Sequence, residues 1–197
     1  MKLIGLTGGA GSGKSTVSGM FRQFGAAIVD ADEATHEVYA PGTRGFDEVV
    51  ARFGRDYVRD DQIDRERLGE LVFRDASARQ ALNAIVHPLV REWMAERTAE
   101  AADEGARVVI QDVALLFENR LQSLYEGVVV VYVPAAMQVA RLVDSRGLTS
   151  ERANALLASQ MPIDEKRALA NYVIDNTGSR EETREQVEKV WRELAPS

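Results

Sequence analysis

The sequence predicts an α/β protein in which a parallel sheet of about five strands is flanked by helices. Five apolar runs rich in β-branched residues carry this prediction, at 3–7, 26–30, 107–112, 127–133 and 172–175. The runs RVVIQD and GVVVVYV are almost continuously apolar, which is typical of strands buried on both faces of a sheet. Longer amphipathic stretches separate the runs, and strands that alternate with helices predict a doubly wound arrangement.

The helices divide into those that cover the sheet and those that extend from it. The first follows residue 13, places Val17, Met20, Phe21 and Phe24 on one face, and has Gly25 as a stop. The stretches MQVARLVDSRG and REETREQVEKVWRELA predict amphipathic helices with charged outer faces. Residues 33–104 read as a helical region with no convincing strand. We expect residues 1–197 to form one domain with helical appendages.

Composition excludes several classes of site and partner. The 197 residues include no cysteine and two histidines, which excludes disulfides, thiolate zinc sites and cysteine nucleophiles and disfavours a multi-histidine metal site. A net charge of −7 disfavours nucleic acid and anionic membranes as partners. The apolar runs are too short for a membrane span, and no signal peptide is visible at the start, so we expect a cytoplasmic protein. Monomers and small homo-oligomers both fit the sequence.

A glycine-rich loop follows the first predicted strand and matches the pattern G-x-x-x-x-G-K-[ST] of a P-loop. Glycines let successive backbone N–H groups surround a phosphate, and the following helix adds its positive N-terminus. The lysine can reach the β- and γ-phosphates of a nucleotide, and Ser15 can bind Mg²⁺. The sequence therefore predicts a P-loop NTPase-type sheet. Its expected nucleotide-binding residues are Gly8, Gly9, Gly11, Ser12, Gly13, Lys14, Ser15 and Thr16.

Carboxylates end two of the predicted strands. Asp30 and Asp32 follow the second strand, and the carboxyl ends of parallel strands face the ligand crevice of such a sheet. Asp30 is the expected helix cap, and at least one of the two carboxylates is expected to orient an acceptor hydroxyl and take its proton. Asp112 ends the third strand, where it either organises Mg²⁺ or only terminates the strand. The sequence leaves these two interpretations of Asp112 open.

Several motifs, in this order, resemble the dephospho-CoA kinase family over essentially the whole chain: GLTGGAGSGKSTV, VDADE, VYAPG, RERLGELVF, HPLV, LLFEN and SQMPIDEKRALANYVIDNTG. The resemblance implies Mg²⁺-dependent transfer of the ATP γ-phosphate to the ribose 3′-hydroxyl of dephospho-CoA. It implies that Asp32 is the general base, that Lys14 and Arg141 act on the phosphates, and that His87 helps to bind the substrate. It also implies a CoA-binding region at about 33–104 and a helical lid at about 141–168.

The chain departs from the family pattern at three positions. Ala114 replaces a proline, Asn171 replaces an aspartate, and Ser145 stands where the second arginine of the lid is expected. Arg146 lies one place further on, which is about 100° around a helix, so it does not simply inherit that role. Two other functions stay open from the sequence: a kinase for another nucleotide or hydroxylated metabolite, and a nucleotide-dependent switch.

Overall fold

The computed structural model describes residues 1–195, which fall into two compact units. The core unit consists of Met1–Val29 and the chain from Glu100 onward, and the helical unit is Asp30–Ala99. Within the described residues, the strands are β1 (Lys2–Gly8), β2 (Ala27–Asp30), β3 (Val58–Arg59), β4 (Gln62–Ile63), β5 (Val108–Asp112), β6 (Gly127–Tyr132) and β7 (Tyr172–Asp175).

The helices of this part of the chain connect or follow these strands. They are α1 (Lys14–Phe24), α2 (Ala31–Val38), α3 (Arg44–Phe53), α4 (Arg65–Arg74), α5 (Ala76–Asp103), α6 (Ala135–Arg146), α7 (Ser150–Ala158), α8 (Ile163–Ala168) and α9 (Arg180–Leu194). Short 3₁₀ turns lie at Arg55–Tyr57 and Gln122–Leu124.

The main sheet has five strands in the order β2-β5-β1-β6-β7, and β1 pairs in parallel with both β5 and β6. The chain places β1 at the centre, so the loop that follows β1 starts in the middle of the carboxyl edge of the sheet. All five predicted strands are present within about two residues of their predicted limits. The predicted α/β fold is confirmed.

A buried apolar cluster holds the core unit together. Helices α1 and α9 pack their apolar faces against strands of the sheet, and α1 ends at Gly25 in the left-handed conformation, as predicted. Each large side chain that is removed from water here contributes about 1.5–3 kcal/mol. The cluster includes Ile4, Leu6, Val17, Met20, Phe21, Val108, Ile110, Val129, Val131, Ile174, Val187, Val190 and Leu194.

The prediction that the helical region contains no strand is wrong. Strands β3 and β4 form a small antiparallel hairpin, in which Val58 pairs with Ile63. The turn is made by Asp60 and Asp61, both with positive φ, at 50° and 57°. Two-residue hairpin turns of this kind usually carry asparagine or glycine, so an Asp-Asp pair gave no turn pattern to recognise. The helical unit has its own apolar cluster, which includes Val38, Val49, Ile63, Leu68, Val86 and Leu89.

Candidate active site

The loop between β1 and α1 has the conformation that its glycines allow. Gly11 and Gly13 have φ of 76° and 86°, in the left-handed region that favours glycine. A side chain on Gly13 would also collide with the amide nitrogen of Asn176. Helix α1 then begins at Lys14 without a side-chain cap. The glycine-rich loop therefore leads directly into the N-terminus of an eleven-residue helix.

Several polar groups of this loop have no protein partner among residues 1–195. They include the hydroxyl of Ser12, which is buried, and the backbone N–H groups of Gly11, Gly13, Lys14 and Ser15. A buried polar group without a partner costs about 1–3 kcal/mol, so the loop gains stability from any ligand that satisfies it. Clustered N–H donors at a helix N-terminus suit an anion, and phosphate above all. The loop thus has the donor set that the P-loop pattern predicts.

Lys14 forms an ion pair with Asp112 at the carboxyl end of β5. The Asp112 side chain is almost completely buried, whereas the Lys14 side chain keeps 15% of its exposure. Because a buried carboxylate needs a compensating charge, the strand-end aspartate holds the lysine at the mouth of the loop. Asp112 therefore does more than terminate its strand.

The carbonyl oxygen of Ser12, in the phosphate loop, accepts hydrogen bonds from the side chains of Arg141 and Asn176. The Asn176 amide donates to this oxygen at 2.8 Å, and an Arg141 Nη donates to it at 3.4 Å. The other Arg141 Nη donates to the Asn176 carbonyl at 2.8 Å, and Thr183 donates to the Asn176 side chain at 2.9 Å. The structure thus brings the predicted Arg141 together with the loop. Asn176, which the sequence analysis missed, hydrogen-bonds to both the loop and Arg141.

Two glutamines from outside the loop also shape it. The buried Gln138 of α6 packs against Gly9 and Gly11 closely enough to leave no room for side chains there, and it donates to the Val133 carbonyl at 2.8 Å. Gln160, which follows α7, accepts a hydrogen bond from the Ala10 N–H at 3.0 Å. Neither residue was predicted, because neither lies within the sequence pattern of the loop.

A second buried ion pair lies beside the loop and was also missed. The Lys166 side chain is completely buried, and its Nζ lies 2.9 Å from both Glu118 Oε1 and the Ala114 carbonyl. Glu118 Oε1 also accepts from the Met161 N–H at 2.8 Å, and Thr7 donates to the Ala114 carbonyl at 3.0 Å. The segment from Met161 to Lys166, which follows α7, is therefore hydrogen-bonded to the loop that follows β5. Glu118 and Lys166 both lie in motifs that carry the family resemblance, but no sequence pattern indicated that they pair with each other.

The helical unit contains the predicted acceptor-side carboxylate. Asp30 caps α2, because its side chain accepts from the Asp32 N–H at 2.8 Å. Asp32 lies in the first turn of α2 and is exposed, and its carboxylate has no hydrogen-bond or ion-pair partner among residues 1–195. The two carboxylates thus separate into a cap and a free group. The expectation that Asp30 is the cap is confirmed, and Asp32 is available to a ligand.

His87 lies on helix α5, in the same unit. Partial burial lowers its pKa below the usual 6.5, and the nearby Arg91 lowers it further. His87 is consequently neutral at pH 7, when one ring nitrogen donates and the other accepts. Its expected part in substrate binding stays a prediction.

The residues that depart from the family pattern take structural contacts of their own. Asn171, which stands where the family has an aspartate, directly precedes β7. Its side-chain oxygen accepts a hydrogen bond from the Val128 N–H at 2.9 Å. The Ser145 hydroxyl donates to the Arg141 carbonyl within α6 at 2.5 Å. Ala114 contributes its backbone carbonyl to the Lys166 site. The Asn171 and Ser145 side chains thus bind backbone groups outside the phosphate loop.

The residues at the loop also fit a magnesium ion. Mg²⁺ prefers oxygen ligands and keeps several waters, so the exposed Ser15 hydroxyl and the Asp112 carboxylate are suitable donors. Within residues 1–195, no cluster of three or more histidine or acidic side chains forms a metal site without a nucleotide. No helix in that range combines the length and the apolarity that crossing a bilayer requires.

Comparison with known proteins agrees with this geometry. The family model for dephospho-CoA kinase matches residues 2–182. A dephospho-CoA kinase of Symbiobacterium thermophilum is 47% identical over 193 residues, which cover 98% of this chain and 81% of the relative. The crystal structure of TT1252 from Thermus thermophilus matches with a TM-score of 0.85 at 34% identity, covering 98% of both chains.

A dephospho-CoA kinase from Campylobacter jejuni also matches, with a TM-score of 0.67 at 25% identity over 100% of this chain and 98% of that one. These matches extend across both the phosphate loop and the helical unit. The kinase interpretation of the phosphate loop is therefore confirmed over the nucleotide-switch alternative. The chain belongs to the dephospho-CoA kinase family, and its activity is that of a kinase that transfers phosphate from ATP.

Proposed function

We propose that the chain transfers the γ-phosphate of ATP to the ribose 3′-hydroxyl of dephospho-CoA. The observation that carries the proposal is the set of unpartnered backbone N–H groups at the start of α1, those of Gly11, Gly13, Lys14 and Ser15. These donors suit the phosphates of ATP, and family membership supplies the acceptor. Core and helical units then have separate tasks: the core unit binds ATP, and the helical unit binds dephospho-CoA.

Lys14 neutralises charge on the β- and γ-phosphates. In the ligand-free arrangement its Nζ pairs with Asp112, so nucleotide binding exchanges that carboxylate for phosphate oxygens. The Asp112 carboxylate and the Ser15 hydroxyl would hold Mg²⁺, which when bound neutralises phosphate charge and orients the γ-phosphate. Loop N–H groups need no rearrangement to bind phosphate, because the surrounding contacts already fix their backbone.

Arg141 supplies a positive charge beside the loop. Within residues 1–195 its guanidinium hydrogen-bonds only to the carbonyl oxygens of Ser12 and Asn176, so no carboxylate of these residues neutralises it. A guanidinium in this position stabilises the charge that spreads over the transferring phosphate. We propose that the lid at 141–168 excludes water during transfer. Because Gln160 and Lys166 anchor its final part, its movement is confined to the residues between Arg146 and Gln160.

Asp32 orients the 3′-hydroxyl and accepts its proton. Its carboxylate is exposed and has no partner in the described chain, so it is free to accept a hydrogen bond from a substrate hydroxyl. Phosphoryl transfer passes through a loose transition state, in which the proton leaves late. Asp32 therefore contributes mainly by positioning the acceptor and by receiving the proton at the end of the step.

The test follows ADP formation from ATP and Mg²⁺ with dephospho-CoA, AMP, shikimate or no acceptor. We expect strong stimulation by dephospho-CoA alone and formation of CoA. Asp32→Asn should lower kcat about 10²–10⁴-fold with little change in the KM for ATP. Asp30→Asn is the matched control, because asparagine caps a helix as well as aspartate does. Nearly full activity of Asp32→Asn would remove Asp32 from this role.

A further inference from the structure

Arg65, the first residue of α4, is held in place by two side chains of the helical unit. Its guanidinium carbon lies 5.8 Å from the centre of the Tyr39 ring, and its Nη1 lies 3.5 Å from His36 Nδ1. The Tyr39 ring packs against the apolar cluster of this unit, and burial raises the pKa of its phenol. Tyr39 is thus an uncharged platform packed against the apolar cluster, and it contacts the guanidinium of the exposed Arg65.

The positive charge of Arg65 is not neutralised by an acidic partner. Two other arginines of the helical unit do have one: Arg44 lies 2.7 Å from Glu48, and Arg59 lies 2.9 Å from an Asp64 carboxylate oxygen. No carboxylate of the described chain comes within ion-pair distance of the Arg65 guanidinium. Arg65 therefore presents unused N–H donors next to a histidine ring, an arrangement suited to phosphate oxygens.

His36, the histidine next to Arg65, lies one helical turn from the proposed general base. Asp32 and His36 are four residues apart on α2, so they share a face, with about 5–6 Å between their Cβ atoms. Both residues are exposed. In dephospho-CoA, the 3′-hydroxyl and the 5′-diphosphate are attached to the same ribose ring. A ribose whose 3′-hydroxyl meets Asp32 can therefore direct its 5′-diphosphate along this face of α2, toward His36 and Arg65.

We propose that Arg65 and His36 form the subsite for the 5′-diphosphate of dephospho-CoA. The proposal rests on the proposed function, because it takes Asp32 as the group that meets the 3′-hydroxyl. Arg65 binds the diphosphate through a planar pair of N–H donors, and His36 adds a third donor from α2. Tyr39 sets the direction of the guanidinium. The subsite thereby distinguishes a nucleoside diphosphate acceptor from one that carries no phosphate.

Arg65→Ala tests the subsite through the KM for the acceptor. We expect the KM for dephospho-CoA to rise about 10–100-fold, the range for losing hydrogen bonds to a charged group, with little change in kcat or in the KM for ATP. Arg65→Lys should recover part of the loss. Arg67→Ala is the matched control: its guanidinium also lies 5.8 Å from a ring centre, that of Tyr57, but it donates to the Asp56 carbonyl at 2.8 Å. The KM of Arg67→Ala for dephospho-CoA should stay at the wild-type value.

Adenosine separates diphosphate binding from a general effect on the acceptor site. It has the same 3′-hydroxyl and no phosphate, so its inhibition constant against dephospho-CoA, at saturating ATP, should be equal in wild type and Arg65→Ala. A wild-type KM for dephospho-CoA in Arg65→Ala, or an equal loss of adenosine affinity, would overturn the subsite and leave the proposed function intact. A wild-type chain that does not phosphorylate dephospho-CoA would overturn both. The Tm of each variant, measured alongside, should match wild type, since Arg65 is exposed.

Discussion

Removing the buried ammonium of Lys166 should strongly destabilise the fold. Lys166→Met keeps most of the side-chain volume. It deletes the ammonium group, which donates to both Glu118 and the Ala114 carbonyl at 2.9 Å. The Glu118 side chain is only 19% exposed, and it would keep only the bond from the Met161 N–H. Breaking a buried pair by removing one partner costs about 3–5 kcal/mol, because the remaining charge is left uncompensated.

Thermal unfolding followed by circular dichroism measures this loss. For a protein of this size, each kcal/mol shifts Tm by about 2–4 °C, so Lys166→Met should lower Tm by roughly 6–20 °C. The exposed pair of Arg44 and Glu48 provides the control, and Arg44→Met should leave Tm within experimental error. The double variant Lys166→Met/Glu118→Leu should regain part of the stability, since neither charge is then buried alone.

Two results would refute this reasoning. A Tm within about 2 °C of wild type for Lys166→Met would mean that the pair contributes less than about 1 kcal/mol, as an exposed pair does. A double variant that is less stable than Lys166→Met would mean that the uncompensated charge on Glu118 is not the source of the loss.

Two further predictions concern the phosphate loop and the response to alkaline pH. Gly13→Ala should weaken ATP binding in calorimetry at least about tenfold, because it combines a φ of 86° with a collision at Asn176; Gly19→Ala, in open space on α1, should bind ATP normally. Burial raises the pKa of Tyr125 from 10.0 to about 12. Between about pH 10 and 12 the folded chain therefore keeps the Tyr125 proton, whereas the unfolded chain loses it. The contribution of this protonated phenol to the free energy of unfolding is complete below pH 10 and disappears between about pH 10 and 12. Tyr125→Phe should lose less stability than wild type over that range in urea titrations, and equal losses would contradict the assignment.

The sequence predicted the sheet well because its strands are buried on both faces. Such strands are continuous apolar runs, and β5 and β6 contain almost no polar residue before their ends. The phosphate loop was equally predictable, since its glycines and Lys14 are adjacent in sequence. The hairpin of β3 and β4 was missed because each strand has two residues, too few for an alternating pattern.

The contacts around the phosphate loop could not be predicted in the same way. Lys166 and Glu118 are 48 positions apart, and no local pattern links a lysine to a glutamate over that distance. Asn176 lies 164 residues from the carbonyl that it binds. Contacts of this kind depend on which loops the sheet order brings to the same edge. They become visible only when the order of β1, β6 and β7 is known.

The phosphate loop lies near the N-terminus, but residues made much later hold it in shape. Its clamps come from Gln138, Arg141, Gln160 and Asn176, and the strands on either side of β1 begin at residues 108 and 127. During synthesis on the ribosome, the loop can therefore reach its nucleotide-binding conformation only after nearly all of the chain has been made. We therefore expect a chain that stops before residue 176 to gain no protection from ATP.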